Sequence, residues 1–216
     1  MEYKNLIGGA ITDKINIYNC DCMELLKQTP DNYYSLALVD PPYSIDVNMN
    51  MGRRKGMGKK HVVKNWDNQP PTAEYFKELF RVCDNVIIWG GNYFDLPPTK
   101  SFIIWDKMTP FELSFAMCEY AWTSFNCVAK IVRIPIQTDN SNRIHPTQKS
   151  VQLYKWLLDK YAKPNDKILD THLGSMSIAI ACHDYGFELV GCELDKEYYD
   201  KGIERVKNHV NQLKMF

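Results

Sequence analysis

The sequence lacks the patterns that mark disulfide-bonded, zinc-binding and membrane-spanning proteins. Its seven cysteines are scattered, Cys20 and Cys22 form the one close pair, and no CxxC spacing occurs. This distribution predicts neither a disulfide framework nor a metal site. No apolar run reaches the roughly 18 residues of a membrane span, and the start, MEYKNLIGG, has no signal-peptide core. We therefore expect a cytoplasmic protein without a metal or a membrane anchor.

Net charge is also lacking, since 26 Lys and Arg balance 26 Asp and Glu. The balance is uneven, because residues 52–64, GRRKGMGKKHVVK, hold six basic residues and no acidic one. A concentrated basic segment on an otherwise acidic chain is typical of a local phosphate contact. The alternative is a solvated loop without a partner. The candidate DNA contacts are Arg53, Arg54, Lys55, Lys59, Lys60 and Lys64.

The length of 216 residues, with 45% hydrophobic and 24% charged residues, predicts one globular domain over 1–216. Short apolar runs alternate with helical patterns, which favours an α/β fold with a mostly parallel sheet and helices on both faces. The predicted strands are Ile15–Cys20, Ser35–Val39, Val86–Trp89, Phe102–Trp105, Cys118–Ser124, Lys130–Ile134, Lys167–Asp170 and Glu188–Glu193. The predicted helices are Thr72–Val82, Ser150–Tyr161, one from about Ser175 to a stop at Gly186, and one from Lys196 capped by Asp195.

Two segments, Ser44–Pro71 and Gln137–Pro146, follow neither the strand nor the helix pattern. Loops of this length in a compact domain are usually functional or disordered. The first holds the basic residues and is expected to be a flexible loop.

The most specific signal is Asp40-Pro41-Pro42-Tyr43, which follows the apolar run Ser35–Val39 directly. Ligands of open α/β sheets bind at the carboxyl ends of strands. An exocyclic amine of adenine or cytosine is a poor nucleophile, because its lone pair is delocalised into the ring. The Asp40 carboxylate and the Pro41 carbonyl are candidate acceptors for its N–H groups, on a turn that proline makes rigid. Tyr43 is a candidate stacking platform for a base extruded from the duplex; the alternative is a strand end with a packed tyrosine.

A second pattern is a strand, a glycine-containing turn and a helix, beginning at Lys167–Asp170. This arrangement is typical of a nucleoside-type cofactor site. Glu193 ends the next strand about twenty residues further on, where an acid accepts ribose hydroxyls. The candidate cofactor-binding residues here are Asp170, His172, Gly174, Ser175 and Glu193.

The tetrapeptide resembles motif IV of the amino-group DNA methyltransferases, in which Asp is more usual for adenine N6 and Ser for cytosine N4. NVIIWGGNYF, IIWDK and EYAWTSF resemble the strand segments after motif IV, RIHPTQKS resembles motif X, and KILDTHLGSMSIAIAC resembles the cofactor motif I. The resemblance covers Ile15 to His209. It implies a Rossmann-like methyltransferase fold, S-adenosylmethionine as cofactor, and double-stranded DNA with a flipped target base as substrate.

The catalytic motif precedes the cofactor motif, which resembles the circularly permuted β group. Related glutamine methyltransferases have the opposite order, and this difference argues against a protein substrate. The resemblance assigns Asp21 and Cys22 to the cofactor's adenine, Lys149 to its carboxylate, and His145 and Thr147 to the pocket wall. The alternatives are a strand-end cap for Asp21 and an exposed lysine for Lys149.

The cofactor motif departs from the family pattern, since Thr171-His172 replace Pro-Phe and Met176 replaces the last glycine. We expect Met176 to crowd the helix start. This departure leaves open a relative that binds nucleic acid or cofactor but has impaired catalysis. The sequence also leaves open cytosine N4 as the target and structured RNA as the substrate.

Target recognition is expected over about 126–145, a segment of only about twenty residues. We therefore expect the basic segment, a partner or a second subunit to contribute to recognition of the target sequence. We also expect a homodimer. Relatives act alone or in restriction–modification systems, and small ones resemble phage-borne enzymes.

Overall fold

The computed structural model describes residues 3–43, 70–109, 116–136, 143–145 and 147–212. All six candidate DNA contacts of the basic segment, Arg53 to Lys64, lie outside the described residues, as do 137–142 and 146.

Within the described residues, nine strands form one sheet. They are β1 Ile7–Ala10, β2 Ile15–Asn19, β3 Tyr34–Val39, β4 Cys83–Trp89, β5 Phe102–Asp106, β6 Cys118–Thr123, β7 Lys130–Arg133, β8 Lys167–Asp170 and β9 Glu188–Cys192. Their order across the sheet is β1-β2-β9-β8-β3-β4-β6-β5-β7. The pairs β1–β2, β4–β6 and β5–β6 are antiparallel and the other five are parallel, so the centre of the sheet is parallel.

Five helices cover the two faces of the sheet in the described part of the chain. They are α1 Cys22–Gln28, α2 Ala73–Val82, α3 Val151–Tyr161, α4 Ser177–Tyr185 and α5 Lys196–Val210. Four begin at a capping side chain that accepts a backbone N–H of the first turn, namely Asp21, Thr72, Ser150 and Asp195. Each such cap stabilises its helix by about 1 kcal/mol.

Alternation along the strands divides the core into two layers. On β3, Leu36 and Leu38 pack with the buried side chains of α3, α4 and α5. Ala37 and Val39, from the opposite face of β3, pack with those of α1 and α2. The sheet is therefore covered on both faces, as a mostly parallel sheet requires.

All eight predicted strands are present, with ends that differ by at most three residues from the prediction. The helices that begin after Thr72, Ser150 and Asp195 are confirmed. Gly186 is the C-cap of α4, as predicted, but α4 begins at Ser177 rather than Ser175. The structure adds two elements that the sequence patterns did not predict, β1 and α1. None of the helices described is long and apolar enough to cross a bilayer.

Candidate active site

The candidate site residues converge because they follow neighbouring parallel strands. Strands β3 and β8 are hydrogen-bonded neighbours, with Leu36 paired to Ile168 and Ala37 to Leu169. The carboxyl ends of parallel strands lie at the same edge of a sheet. Asp40, which follows β3, and Asp170, which ends β8, therefore lie at one edge, and the two loops open on the same side of the molecule.

The two oxygens of the Asp40 carboxylate have different partners. The Tyr43 hydroxyl donates to Oδ1. The Lys149 ammonium donates to Oδ2 and forms an ion pair with it. Of the two prolines between Asp40 and Tyr43, Pro41 is buried and Pro42 is half-buried.

Lys149 is the buried cation of this site, with a side chain only 3% exposed. Its Nζ lies 3.1 Å from Oε2 of Glu119 and 5.1 Å from the centre of the Trp89 ring. Glu119 lies on β6, which runs antiparallel to β4, so the start of β6 reaches the carboxyl edge of the sheet. Oε1 of Glu119 lies 2.5 Å from Nζ of Lys107. Four charged groups therefore alternate in sign beside the proline turn.

The pKa shifts favour the charged forms of the two inner groups. Burial acts to lower the pKa of Lys149, but the charges of Asp40 and Glu119 outweigh burial and leave that pKa raised. Burial acts to raise the pKa of Glu119, but Lys149 and Lys107 outweigh it and leave that pKa lowered. Both groups are therefore charged at neutral pH.

The Tyr43 ring is held in an aromatic cluster. It stacks on Tyr93, with 5.1 Å between ring centres and 19° between ring planes, and contacts Phe94 edge-on at 6.0 Å. Gly90 has a positive φ of 67° and lies against this ring: a Cβ on Gly90 would lie 2.2 Å from Cε1 of Tyr43. Burial and then the Asp40 charge raise the pKa of Tyr43 well above its usual value, so its hydroxyl stays a neutral donor.

The turn after β8 carries a buried carboxyl group. Oδ1 of Asp170 accepts a hydrogen bond from the backbone N–H of His172 at 2.9 Å. Oδ2 is buried and has no hydrogen-bond partner among the described residues. Burial raises the pKa of Asp170 to about 8. The carboxyl group is therefore largely neutral at pH 7 until a cation or a donor reaches Oδ2.

Glu193, which follows β9, holds the same turn from the next strand. Its Oε2 accepts the Gly174 N–H at 2.8 Å and its Oε1 accepts the Asp195 N–H at 2.9 Å. Burial raises the pKa of Glu193. A carboxylate with two backbone donors is fixed in direction, as a site for hydroxyl groups requires.

The comparison with protein families agrees with this geometry. Residues 104–204 match the family model of the N6/N4 methyltransferases, which is described as DNA methylase. This part of the chain is similar to the N6/N4 DNA methylases. A relative that matches nearly the whole chain is the type II methyltransferase M.HinfI of Haemophilus influenzae, at 22% identity over 95% of this chain and 73% of M.HinfI.

Solved structures show the same fold. The M1.HpyAVI–SAM complex has a TM-score of 0.61 at 18% identity and covers 88% of this chain and 99% of its own. The PvuII DNA methyltransferase, cytosine-N4-specific, has a TM-score of 0.59 at 14% identity. The match covers 93% of this chain and 92% of the PvuII enzyme. The predicted methyltransferase fold, a mostly parallel sheet with helices on both faces, is therefore confirmed.

The chain has a hydrogen-bonded polar pair at the positions where the cofactor motif that it resembles has Pro-Phe. Oγ1 of Thr171 lies 2.9 Å from Nδ1 of His172 and 2.7 Å from the Tyr75 hydroxyl. The His172 ring contacts Tyr75 edge-on, with 5.4 Å between ring centres. Burial lowers the pKa of His172 to about 4, so the ring is neutral at pH 7. Thr171 and His172 thus line the turn as a neutral pair whose polar atoms Oγ1 and Nδ1 are hydrogen-bonded.

Met176 does not crowd the start of α4, contrary to the expectation from the sequence. Its backbone has a positive φ of 58°, and its fully buried side chain packs against Gly202 of α5. A Cβ on Gly202 would lie only 2.6 Å from Sδ of Met176. The glycine in α5 makes room for the methionine that replaces the family's glycine.

The remaining predicted residues lie near the two loops. Asp21 caps α1 by accepting the Met23 N–H at 2.8 Å, and Cys22 is half-buried. The His145 ring lies 4.4 Å from the centre of the Tyr198 ring and close to Gly174, where a Cβ would lie 3.7 Å from it. Thr147 hydrogen-bonds to Nδ1 of His145, and buried Ser175 contacts the Ser177 hydroxyl at 3.1 Å.

Two sequence interpretations change with the structure. Lys149 is buried against Asp40 and Glu119, so the alternative of an exposed helix-start lysine is wrong. Its ammonium group contacts Asp40 of the proline turn. Sequence reasoning missed Lys107 and Glu119, although both lie within IIWDK and EYAWTSF, the segments that resemble family strands.

Proposed function

We propose that the chain transfers a methyl group from S-adenosylmethionine to the N6 amine of adenine in DNA. The observation that carries the proposal is the adjacency of β3 and β8, which brings the Asp40 turn and the Asp170 turn to one edge. Methyl transfer to an amine needs donor and acceptor held side by side, since alignment supplies much of the rate acceleration. The match of residues 104–204 to the N6/N4 DNA methylase model supports the reaction class.

The residues after β8 and β9 fit S-adenosylmethionine, which supplies a methyl group on a positively charged sulfur. Oδ2 of Asp170, buried and without a partner in the described part of the chain, suits the donor's ammonium group. The fixed Glu193 carboxylate suits the ribose hydroxyls. Leu194, next in the chain and 70% exposed, offers an apolar surface to the adenine ring. The M1.HpyAVI structure, a SAM complex with the same fold, supports this choice.

The residues after β3 fit the acceptor amine. Oδ1 of Asp40 is bonded to the Tyr43 hydroxyl and Oδ2 to Lys149. An entering amine therefore displaces the Tyr43 hydroxyl from Oδ1, while Lys149 keeps Oδ2. Acceptance of the amine's N–H groups by Asp40 and by the Pro41 carbonyl localises the nitrogen lone pair for attack. The Tyr43 ring provides stacking, which stabilises a flipped base by roughly 1–3 kcal/mol.

Adenine N6 is proposed over cytosine N4 because the proline turn begins with Asp, the form more usual for adenine in the motif that it resembles. Cytosine N4 is the second candidate, and the structural likeness to the cytosine-N4-specific PvuII enzyme favours it. The choice is tested by incubating the protein with unmethylated genomic DNA and labelled S-adenosylmethionine, then identifying the modified nucleoside by mass spectrometry. We expect N6-methyladenine, and N4-methylcytosine would overturn that part of the proposal.

The proposal includes a flipped target base, because a base inside the duplex cannot reach the pocket. It also includes a homodimer, because the segment about 126–145 is short for target recognition by one subunit. Fluorescence of 2-aminopurine at the target position reports base extrusion, and sedimentation reports the oligomeric state. Structured RNA is tested as a parallel substrate. Tight binding of S-adenosylmethionine without transfer to any nucleic acid would identify a catalytically impaired relative instead.

Asp40 carries the first mutational prediction. Replacement by Ala or Asn removes the negative charge that stabilises the amine in the transition state, so we expect a loss in kcat of at least ~100-fold. Asp200→Asn is the matched control, because Asp200 lies on α5 in an exposed pair with Lys196. Steady-state methylation rates measure both, and a fully active Asp40→Ala would contradict the assignment.

A further inference from the structure

Four charged side chains from separate parts of the chain alternate in sign at the proline turn, in the order Lys107, Glu119, Lys149 and Asp40. We call them the charge chain. Lys107 contacts Oε1 of Glu119 at 2.5 Å, and Oε2 of the same carboxylate lies 3.1 Å from Nζ of Lys149. Lys149 in turn contacts Oδ2 of Asp40. The two ends lie on the loops after β5 and β3, so the chain of contacts crosses two strands of the sheet.

Lys149 is the member with least access to water. Its ammonium group lies over the Trp89 ring at 5.1 Å, and its side chain is 3% exposed. A buried ammonium is tolerated only when anions compensate it. The titratable groups around it are Asp40, Glu119, Asp170, Lys107, Tyr43 and Tyr154. Of these, Asp40 and Glu119 contact it directly.

The position of Lys149 between two carboxylates indicates what Glu119 does at this site. Lys149 has two anionic partners, Asp40 after β3 and Glu119 on β6, so its ammonium group is held between them rather than by Asp40 alone. If Glu119 lost its charge, Lys107 would lose its partner and would face Lys149 with the same sign. Lys149 would then be less charged and less fixed, and Oδ2 of Asp40 would lose its constant donor.

We propose that Glu119 is a positioning residue for methyl transfer, which holds Lys149 so that Lys149 fixes one oxygen of Asp40 and leaves the other for the target amine. The inference rests on the proposed function, because Asp40 is the amine acceptor there. It adds a residue that lies outside the proline turn and outside the turn after β8.

Glu119→Gln tests this role, because it keeps the size of the side chain and removes the charge. We expect kcat to fall between about 10- and 100-fold, the scale of a misplaced reacting group, with the KM for S-adenosylmethionine within about twofold. The alkaline limb of the pH–kcat profile should move to lower pH, since Lys149 loses its proton more readily without Glu119. Glu119→Asp retains the charge and should restore part of the rate. Glu197→Gln, at an exposed pair with Lys201, is the control and should leave both measurements unchanged.

A second measurement separates this inference from the proposed function. NMR titration of Lys149 Nζ in isotope-labelled protein, without DNA, should show a lower pKa in Glu119→Gln than in the wild type. Lys107→Gln should shift it upward, because the remaining Glu119 charge then acts on Lys149 alone. If the wild type methylates no nucleic acid, the proposed function fails while this titration still tests the charge chain. Folded Glu119→Gln with an unchanged Lys149 titration and an unchanged pH profile would overturn the inference, and Lys107→Gln decides it should Glu119→Gln not fold.

Discussion

At Asp40 the two carboxylate oxygens differ in the kind of donor that each receives. The Tyr43 hydroxyl on Oδ1 is neutral and lies three residues away in the same turn. The Lys149 ammonium on Oδ2 is charged and belongs to a buried network. Charge-assisted hydrogen bonds are about twice as strong as neutral ones. The contact at Oδ1 is therefore the easier to exchange, and the exchange leaves the orientation of the carboxylate unchanged.

Gly90 carries a prediction at the same scale. Gly90→Ala would place a Cβ 2.2 Å from Cε1 of Tyr43, so the ring must leave its stack on Tyr93. We expect kcat/KM for DNA to fall at least ~10-fold, which corresponds to about 1.4 kcal/mol of lost base stacking.

Gly186→Ala is the matched control, because Gly186 has a similar φ of 75° but its nearest atom to a new Cβ is Nζ of Lys14 at 3.8 Å. Both variants carry the strain of a left-handed alanine, about 1 kcal/mol. Both should therefore lower the melting temperature, while only Gly90→Ala should lower the methylation rate. Equal rates for the two variants would count against the role of the Tyr43 position.

The sequence predicted the proline turn but not the charge chain around it. Asp40, Pro41, Pro42 and Tyr43 are contiguous, so a local pattern contains all of them. The role of Glu119 depends on β6 running antiparallel to β4, and strand direction leaves no mark in an apolar run. Lys149 was identified as a site residue from its motif, but its partners come from other strands.

At the scale of elements, the start of α4 packs closely against the middle of α5. Met176 occupies the place of the family's glycine in the turn, and its side chain fills the space above Gly202. Gly202→Ala should cost about 1–3 kcal/mol of unfolding free energy, the usual effect of overpacking.

Met176→Ala should cost about 2–5 kcal/mol through the cavity that it leaves. The double variant should cost less than the sum of the two, with a coupling of about 0.5–3 kcal/mol, because the methyl group added at position 202 then occupies part of that cavity. Urea denaturation of the four proteins measures the cycle. Strictly additive free energies would show that the two side chains do not compete for one space.

Elements with a long apolar pattern were predictable and short or glycine-rich ones were not. Seven of the eight predicted strands bury at least two apolar side chains, and β7 buries Val132. Strand β1 has the sequence IGGA and mostly exposed residues, so it shows no apolar pattern from which a strand could be predicted. Helix α1 has seven residues and buries Leu25 and Leu26, which is too little for a helical period to show.

At the scale of the whole molecule, the free energy of unfolding should depend on pH in a direction set by two buried groups at the turn after β8. The pKa of Asp170 is raised to about 8, so the folded state keeps a proton that the unfolded chain has lost above about pH 4. The pKa of His172 is lowered to about 4, so between pH 4 and 6.5 the unfolded chain binds a proton that the folded state does not. These two effects oppose each other over that range.

From pH 6.5 to about 8, the Asp170 effect remains and the unfolding free energy should fall, on the order of 1–2 kcal/mol. Asp170→Asn should remove most of this fall, while the exposed Asp200→Asn should retain it. Urea titrations at pH 6.5 and pH 8 measure the difference. A wild type that gains stability over this interval would contradict the assignment of a neutral Asp170.

The parallel sheet was predictable from the sequence, but the order of its strands was not. Apolar runs alternating with helices predicted a parallel sheet, and a parallel sheet gathers its strand ends at one edge. That β8 hydrogen-bonds to β3, rather than lying elsewhere in the sheet, follows from packing across more than a hundred residues of sequence. No local pattern carries that information, so the meeting of the two turns remained a hypothesis until the strand order was known.

The adjacency of β3 and β8 also bears on how such a protein changes over time. The spacing between the two turns is the spacing of neighbouring strands, about 4.8 Å, and backbone hydrogen bonds maintain it whatever the side chains are. Lengthening, shortening or exchanging the connecting segments leaves that spacing unaltered. Under the proposed function, the nucleotide sequence that is methylated can therefore change in evolution while the two turns keep their separation.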